Sequence, residues 1–180
     1  MRILGKWVIK NNILNDFNIY IKDSDLQDRI KEISNEINSC QLKNILFICV
    51  LEGAARFMFD LIKLLNFDYE IGFIKVESYN KMKRGKIELK LDISKDRIIN
   101  RDIIIVEDIV DSGETIKFLI KHFSSMNARS IKVASLLAKE KSKELCDYYG
   151  YVIENKFVVG YGMDIDNLFR NLNDIYIKDS

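Results

Sequence analysis

The chain has 180 residues, 48% hydrophobic and 31% charged, so we expect one soluble domain (residues 1–180) with a substantial core, and its net charge of +1 gives no overall basic steering toward nucleic acid. No apolar run approaches the ~20 residues of a membrane span, and the first residues lack the apolar core of a signal peptide. Three widely spaced cysteines and one histidine argue against a disulfide scaffold or a metal–thiolate cluster, and they predict a reduced, cytoplasmic setting.

Apolar periodicity predicts strands alternating with helices along the chain. Residues 7–9 and 17–21 form two short apolar patches that we expect to be extended and peripheral. Strands are predicted at 44–51, 69–76, 87–91, 103–106, 130–138, 151–154, 157–160 and 175–177. The pattern of Ser24 to Gln27 is a capping box that opens a first helix, whose apolar face continues to about residue 38, and further helices are predicted at 54–65 and 116–126.

This alternation predicts an α/β fold with a mainly parallel twisted sheet and helices on both faces. The closely spaced strands near 151–160 do not fit the alternation and suggest a small appended hood, which we expect to combine N-terminal and C-terminal segments. The polar stretch 78–86, SYNKMKRGK, is predicted to be a long hairpin loop. Its basic residues could screen a polyanion, although a basic loop is most often simply solvated.

The segment Arg101 to Thr115, RDIIIVEDIVDSGET, carries the clearest functional signal. A short β-branched run predicts a buried strand, the pair Glu107 and Asp108 falls where that strand should end, and a small-residue turn leads into a helix. Ligands of open α/β sheets bind beyond the carboxyl ends of strands, and the backbone N–H groups of such a turn suit a phosphate. Two adjacent carboxylates suit a polyhydroxyl ligand or a divalent cation. The alternative is a turn that binds nothing, in which Ser112 or Thr115 merely caps the helix.

The sequence VEDIVDSGET closely resembles the phosphoribosyl pyrophosphate (PRPP) motif of type I phosphoribosyltransferases, in the version of the hypoxanthine-guanine purine-salvage branch. The resemblance implies that fold, with Mg²⁺ as the cofactor and with PRPP and a 6-oxopurine as substrates. It assigns Glu107 and Asp108 to the ribose hydroxyls and the Mg²⁺ shell. Asp111 matches the catalytic base or acid at purine N7, though a helix cap is the alternative. The 5′-phosphate would bind the turn Asp111, Ser112, Gly113, Glu114 and Thr115, with the Glu114 side chain pointing outward.

A second match is FVVGYGMD, residues 157–164, to the purine-binding segment of the same family. By this resemblance Phe157 stacks on the purine, the Val158 backbone reads the base edge, and Asp164 adjoins the purine and ligates Mg²⁺. Lys139 would donate to the exocyclic oxygen of a 6-oxopurine, although a lysine at a strand end is usually only a solvated charge. Arg170 would contact pyrophosphate.

Weaker matches complete the resemblance. Glu52 and Gly53 occupy the pyrophosphate loop, where many relatives carry a lysine or arginine in place of Glu52, and nearby Arg56 could compensate for that carboxylate. Ser78 and Tyr79 match the start of a mobile lid. Homodimers or homotetramers are the family expectation.

Two other functions fit parts of the sequence. A regulator that keeps the PRPP turn but binds nucleic acid would need a basic face, and it could dispense with the residues of the purine match. A receiver-like α/β domain would explain the acidic strand end but not FVVGYGMD. We therefore expect a purine phosphoribosyltransferase without nucleic-acid or membrane partners.

Overall fold

The computed structural model describes residues 17–79 and 86–178. Its strands are β1 (Phe17–Ile21), β2 (Ile45–Leu51), β3 (Tyr69–Tyr79), β4 (Lys86–Leu91), β5 (Asp102–Val110), β6 (Ser130–Lys139), β7 (Tyr148–Ile153), β8 (Val158–Val159) and β9 (Ile175–Lys178). Its α-helices are α1 (Asp23–Asn38), α2 (Ala55–Ile62) and α3 (Glu114–Ser125).

Six strands form the main sheet in the order β4-β3-β2-β5-β6-β7. All neighbours pair in parallel except β4, which runs antiparallel to β3 as a hairpin partner. The central strands β2 and β5 are buried on both faces, as their continuous apolar runs predicted. The predicted mainly parallel sheet is confirmed.

Helices cover both faces of the main sheet. On one face α1 presents Leu26, Ile30 and Ile33, all fully buried, and α2 packs beside it. On the other face α3 contributes Leu119 and Phe123 to a second apolar cluster. The 3.6-residue apolar spacing of these helices thus corresponds to the stripes that they bury.

Strands β1, β9 and β8 form a small antiparallel sheet from the two ends of the described chain. We call these strands, with the connecting segment 160–174, the hood. Val159, Phe169 and Leu172 form its own small core. The predicted hood therefore exists, but the strand predicted at 151–154 does not belong to it.

That strand, β7, joins the main sheet parallel to β6. Asp147 begins this pairing, since its N–H donates to the carbonyl of Val133 at 2.9 Å and its carboxylate accepts from the Val133 N–H at 2.9 Å. A crossover of fewer than ten residues separates β6 from β7. Such a short connection resembles a hairpin in the sequence, which explains the wrong prediction.

The predicted start of α1 was also wrong. The helix begins at Asp23, and Ser24 lies inside its first turn rather than at the cap. The N–H of Asp23 donates instead to the carboxylate of Asp174 in the hood, at 2.8 Å. A cap from so distant a residue leaves no local sequence signal.

The prediction for residues 7–9 and most of the basic loop, 80–85, lie outside the described residues. Within residues 17–79 and 86–178, no helix combines the length and the apolar character needed to cross a membrane.

Candidate active site

A cavity of about 330 Å³ opens at the carboxyl end of the parallel strands. It lies between the end of β5, the turn that follows β5, the loop after β2 and the hood. This is the edge at which open α/β sheets bind ligands. Sequence-predicted residues that line it are Glu52, Gly53, Glu107, Asp108, Asp111, Ser112, Gly113, Thr115, Asp164 and Arg170.

The acidic pair lies within β5 rather than after it, because β5 continues to Val110. Glu107 is only 9% exposed. Burial, reinforced by the neighbouring charge of Asp108, raises the pKa of Glu107 well above its ordinary value and favours its neutral form. Asp108 is half-buried, and one of its oxygens accepts from the N–H of Ile109 at 2.9 Å.

The loop after β2 reaches Asp108 at Gly53. A Cβ atom on Gly53 would fall 1.8 Å from a carboxylate oxygen of Asp108, so only glycine fits here without displacing that carboxylate. The preceding peptide bond, Leu51–Glu52, is cis. The loop and the acidic pair are thus in direct contact.

The turn after β5 leads directly into α3. Gly113 caps the helix in the left-handed conformation at φ +77°, a backbone geometry that favours glycine. Asp111 and Ser112 are exposed to the cavity. Glu114 does not line the cavity, and its side chain pairs with Lys117 at 3.4 Å. The first turn of a helix has N–H groups without partners inside the helix, and the start of α3 at this cavity is therefore suited to an anion.

A second cavity, of about 510 Å³, adjoins the first. The two share Asp108, Ile109, Asp111 and Asp164 in their linings. The second cavity is also lined by Phe157, whose side chain is 56% exposed, and by the buried Val158. A large exposed ring beside a buried backbone segment provides a stacking surface for a planar ligand.

Lys139 is the last residue of β6 and lies in the second cavity, with only 5% of its surface exposed. Its ammonium donates to the backbone carbonyls of Glu154 and Lys156. Burial lowers the pKa of Lys139, and the Asp111 carboxylate opposes that shift. These carbonyls take two of its three donors, so one donor remains for a ligand.

Arg170 connects the hood to the loop after β2. Its guanidinium donates to the carbonyl of Gly162 at 2.7 Å, pairs with Asp164 at 2.7 Å and lies 3.6 Å from a Glu52 oxygen. Asp164 also accepts from the N–H of Asn167 at 2.7 Å. The Nε atom of Arg170 is buried without a hydrogen-bond partner. The hood therefore holds the Arg170 guanidinium in place at this end of the cavity.

Sequence reasoning missed Lys75. Its ammonium lies 3.0 Å from the other carboxylate oxygen of Glu52. Lys75 stands opposite Leu51 in the parallel register of β2 and β3, which brings it to the loop. Nothing local in the sequence marks this lysine, since pairing of distant strands creates the contact.

Arg56 does not compensate for Glu52. Its guanidinium turns to the hood, where it donates to the Leu172 carbonyl at 2.7 Å and to the Asn173 side chain at 2.8 Å, and it lies over the ring of Tyr161 at 4.4 Å. Ser78 and Tyr79, the predicted start of the lid, form the carboxyl end of β3 and pair with β4.

Across the described parts of the chain, no three His, Cys, Asp or Glu side chains are grouped as a metal site. Asp108 and Asp164 nevertheless both line the two cavities. Mg²⁺ in phosphate sites is commonly held by one or two carboxylates, with substrate oxygens and waters completing its shell. The two hard oxygen donors fit a cation that the substrate shares.

A family model described as "Phosphoribosyl transferase domain" matches residues 21–166. The chain is 38% identical over 160 residues to the hypoxanthine-guanine-xanthine phosphoribosyltransferase of Tritrichomonas foetus, covering 86% of each chain. It is 36% identical over 159 residues to the hypoxanthine-guanine phosphoribosyltransferase of Bacillus subtilis, covering 86% of this chain and 88% of that one.

Two further comparisons concern a longer protein and a solved structure. The chain is 35% identical to the bifunctional protein TilS/HprT of Listeria innocua over 86% of its own length, but it spans only 24% of that longer protein. A crystal structure of a hypoxanthine phosphoribosyltransferase from Staphylococcus aureus superposes with a TM-score of 0.84 at 31% identity, covering 94% of this chain and 96% of that one. The similarity therefore extends to the whole fold.

Proposed function

The chain belongs to the phosphoribosyl transferase domain family, and from this premise we propose that it transfers the 5-phosphoribosyl group of PRPP to N9 of hypoxanthine, guanine or both, releasing pyrophosphate. The observation that carries this proposal is the pair of adjoining cavities. One has an anion-binding turn, the other has an exposed aromatic ring and a buried lysine, and they meet at Asp108, Asp111 and Asp164. A sugar phosphate and a planar base held in these cavities would place the two reacting atoms at that junction.

The turn from Asp111 to Thr115 binds the 5′-phosphate in this proposal. Backbone N–H groups at the start of α3, with the Ser112 and Thr115 hydroxyls, supply donors, and the helix dipole favours the negative charge. Gly113 lets the backbone make the left-handed turn that brings these donors to one side. The Glu114 residue contributes its backbone, since its side chain is engaged with Lys117.

Asp111 is the proposed catalytic residue. It lines both cavities, so its carboxylate can reach a base in the second cavity while the turn holds the phosphate in the first. In the proposed reaction its carboxylate accepts the N7 proton of the purine as N9 bonds to the ribose C1 and the C1–O bond to pyrophosphate breaks, and in the reverse direction it returns that proton. Its carboxylate also opposes the positive charge that develops on the ribosyl group as pyrophosphate leaves.

Mg²⁺ is the proposed cofactor, and its chemistry would be to neutralise charge on the departing pyrophosphate. Asp108 and Asp164 would hold it, with substrate oxygens in the rest of its shell. Glu107, buried beside Asp108, would face the ribose hydroxyls. Arg170 and the backbone around Glu52 and Gly53 would bind the pyrophosphate end.

The second cavity would select a 6-oxopurine. The remaining donor of Lys139 suits an exocyclic oxygen and does not suit the amino group that adenine carries at that position. The backbone of Val158 would read the adjacent base edge, and Phe157 would stack on the ring. Because stacking tolerates different bases, the lysine carries the discrimination.

The wider setting of the protein belongs to the same proposal. We place the reaction in the cytoplasm, in a homodimer or homotetramer of single-domain chains without nucleic-acid or membrane partners. The free thiols of Cys40, Cys49 and Cys146 support a reducing compartment. Ser78 and Tyr79 would begin the lid that excludes water during the transfer.

The test is a transfer assay with PRPP, Mg²⁺ and one purine at a time. We expect turnover with hypoxanthine or guanine, little with adenine and none when Mg²⁺ is omitted. Magnesium-dependent PRPP binding without turnover on any purine would favour a regulator of the same fold. No affinity for PRPP at all would remove the proposed function.

A further inference from the structure

Glu52 places a carboxylate at the end of the first cavity that the proposed function assigns to pyrophosphate. About half of this side chain, 46%, is exposed. A carboxylate and a polyanion at one site repel each other, so an unpaired Glu52 would oppose pyrophosphate binding.

The carboxylate is not unpaired, since each of its oxygens faces a cation. Lys75 lies 3.0 Å from one oxygen, and Arg170 lies 3.6 Å from the other. The hydrogen bond from Lys75, followed by the two positive charges, lowers the pKa of Glu52 and keeps it ionised. The three side chains together carry one net positive charge beside the cavity.

The two cations are held differently. Arg170 keeps its bond to the carbonyl of Gly162 and its ion pair with Asp164 whether or not Glu52 is present. Lys75 is 40% exposed and does not line the cavity itself, and its ion pair with Glu52 at 3.0 Å brings its ammonium to a residue that does. The flexible Lys75 side chain can move its ammonium from Glu52 to another anion at little cost in free energy, because an exposed ion pair is weak.

We propose that Glu52 pairs with Lys75 and Arg170 before substrate binds, positioning Lys75 beside the cavity, and that the diphosphate group then takes both cations over from this carboxylate. This inference rests on the proposed function for the source of the diphosphate. Glu52 competes with the diphosphate for the same two cations. It therefore lowers the affinity for the product pyrophosphate and speeds its release. Lys75 supplies the positive charge that a lysine or arginine at the position of Glu52 would otherwise supply.

The first test is a calorimetric titration of the protein with inorganic pyrophosphate at a fixed Mg²⁺ concentration. We expect Glu52→Gln to lower the pyrophosphate Kd about 3- to 10-fold, because the competing charge is gone. The glutamine amide oxygen can still accept from Lys75, and the hood still holds Arg170. Glu70→Gln is the matched control. Glu70 also lies between two cations, Arg97 at 3.3 Å and Arg101 at 2.8 Å, but near the opposite end of β3. Glu70→Gln should leave the pyrophosphate Kd unchanged.

The second test concerns Lys75. Lys75→Met should raise the pyrophosphate Kd and the PRPP KM about 3- to 10-fold while the purine KM stays constant, and Lys75→Arg should restore both values. A merely structural role would change the melting temperature and would give no such split between the two substrates. Melting temperatures of all variants therefore accompany the titrations.

The inference is overturned if Glu52→Gln, folded with an unchanged melting temperature, leaves the pyrophosphate Kd constant or raises it. It is also overturned if Lys75→Met leaves that Kd constant. Failure of the proposed function has a different signature, because the wild-type protein would then transfer to no purine even if pyrophosphate binding shifts as expected.

Discussion

At the scale of single residues, Asp111 occupies the junction of the two cavities, where we propose that its carboxylate is catalytic. Its carboxylate pairs with Lys141 at 3.1 Å, yet both side chains are well exposed, so the pair is weak and the carboxylate can turn to a substrate. We expect Asp111→Asn to lower kcat about 100-fold or more, since general acid–base catalysis contributes roughly that factor. PRPP affinity should be retained, because the donors proposed to bind the phosphate are backbone N–H groups, which this substitution leaves in place.

Steady-state kinetics with a PRPP binding titration check this prediction. Asp28→Asn removes the same charge from the exposed surface of α1 and serves as the control. Unchanged turnover in Asp111→Asn would remove this carboxylate from the mechanism.

A substitution of Phe157 tests whether the second cavity binds the purine. Phe157→Ala removes the exposed ring that lines it, and base–aromatic stacking is worth about 1–3 kcal/mol. We expect the purine KM to rise about tenfold and the PRPP KM to change little. Phe59→Ala is a matched control, because Phe59 is 51% exposed on α2 and lines neither cavity. A larger rise in the PRPP KM than in the purine KM would move the base site elsewhere.

At the scale of elements, Asp102 fixes the amino end of β5, the strand that carries the acidic pair. Its carboxylate is nearly buried and accepts from the Lys43 N–H at 2.7 Å, the Ser130 hydroxyl at 2.7 Å and the Arg129 guanidinium. The hydrogen bond from Arg129 lowers the pKa of Asp102 to about 2. One carboxylate thus joins β5 to the start of β6 and to the chain before β2.

We expect Asp102→Asn to reduce the free energy of unfolding at neutral pH by about 2–3 kcal/mol. The folded pKa lies below the ordinary value of 3.8, so this stabilisation is present above pH 4 and is lost as the pH falls toward 2. Urea unfolding of the wild-type protein and Asp102→Asn at pH 7 and pH 3 checks the direction of this pH dependence. The difference between their free energies of unfolding should be about 1 kcal/mol smaller at pH 3 than at pH 7. A constant difference would contradict the assigned pKa.

The elements also show what a sequence can and cannot reveal. Buried runs such as Ile103 to Val106 and the helical stripes of α1 and α3 were predictable, because burial imposes a period on the sequence. The placement of β7 and the cap that Asp174 gives to α1 were not, since both depend on contacts with distant segments.

The same division runs through the candidate site. The candidate phosphate-binding turn, Asp111 to Thr115, and the segment that begins at Phe157 are each continuous in the sequence. Both could therefore be recognised as local motifs. The Lys75–Glu52–Arg170 cluster draws on β3, the loop after β2 and the hood, so only the folded chain brings it together.

At the scale of the whole molecule, the two cavities exist because the hood is fixed against the main sheet. Gly162 lies so close to the loop after β2 that a Cβ atom on it would fall 2.2 Å from the Gly53 carbonyl oxygen. The Tyr161 hydroxyl donates to Asp60 on α2. Arg56, also on α2, binds the Leu172 carbonyl of the hood. These contacts hold Arg170 at the first cavity, Val158 at the second and Asp164 at both.

Arg56→Met tests this attachment, because it removes the hydrogen bonds to the hood and the contact over Tyr161 while keeping an apolar side chain. We expect a loss of about 1–3 kcal/mol in the free energy of unfolding and a rise in both KM values, since the hood contributes to both cavities. Arg29→Met is the matched control. Arg29 also donates to backbone carbonyls, those of Tyr149 and Gly150, but it joins α1 to β7 away from both cavities. Its loss should lower stability similarly and leave both KM values unchanged. If Arg56→Met raised only the purine KM, or neither, the hood would not be the shared support of the two cavities.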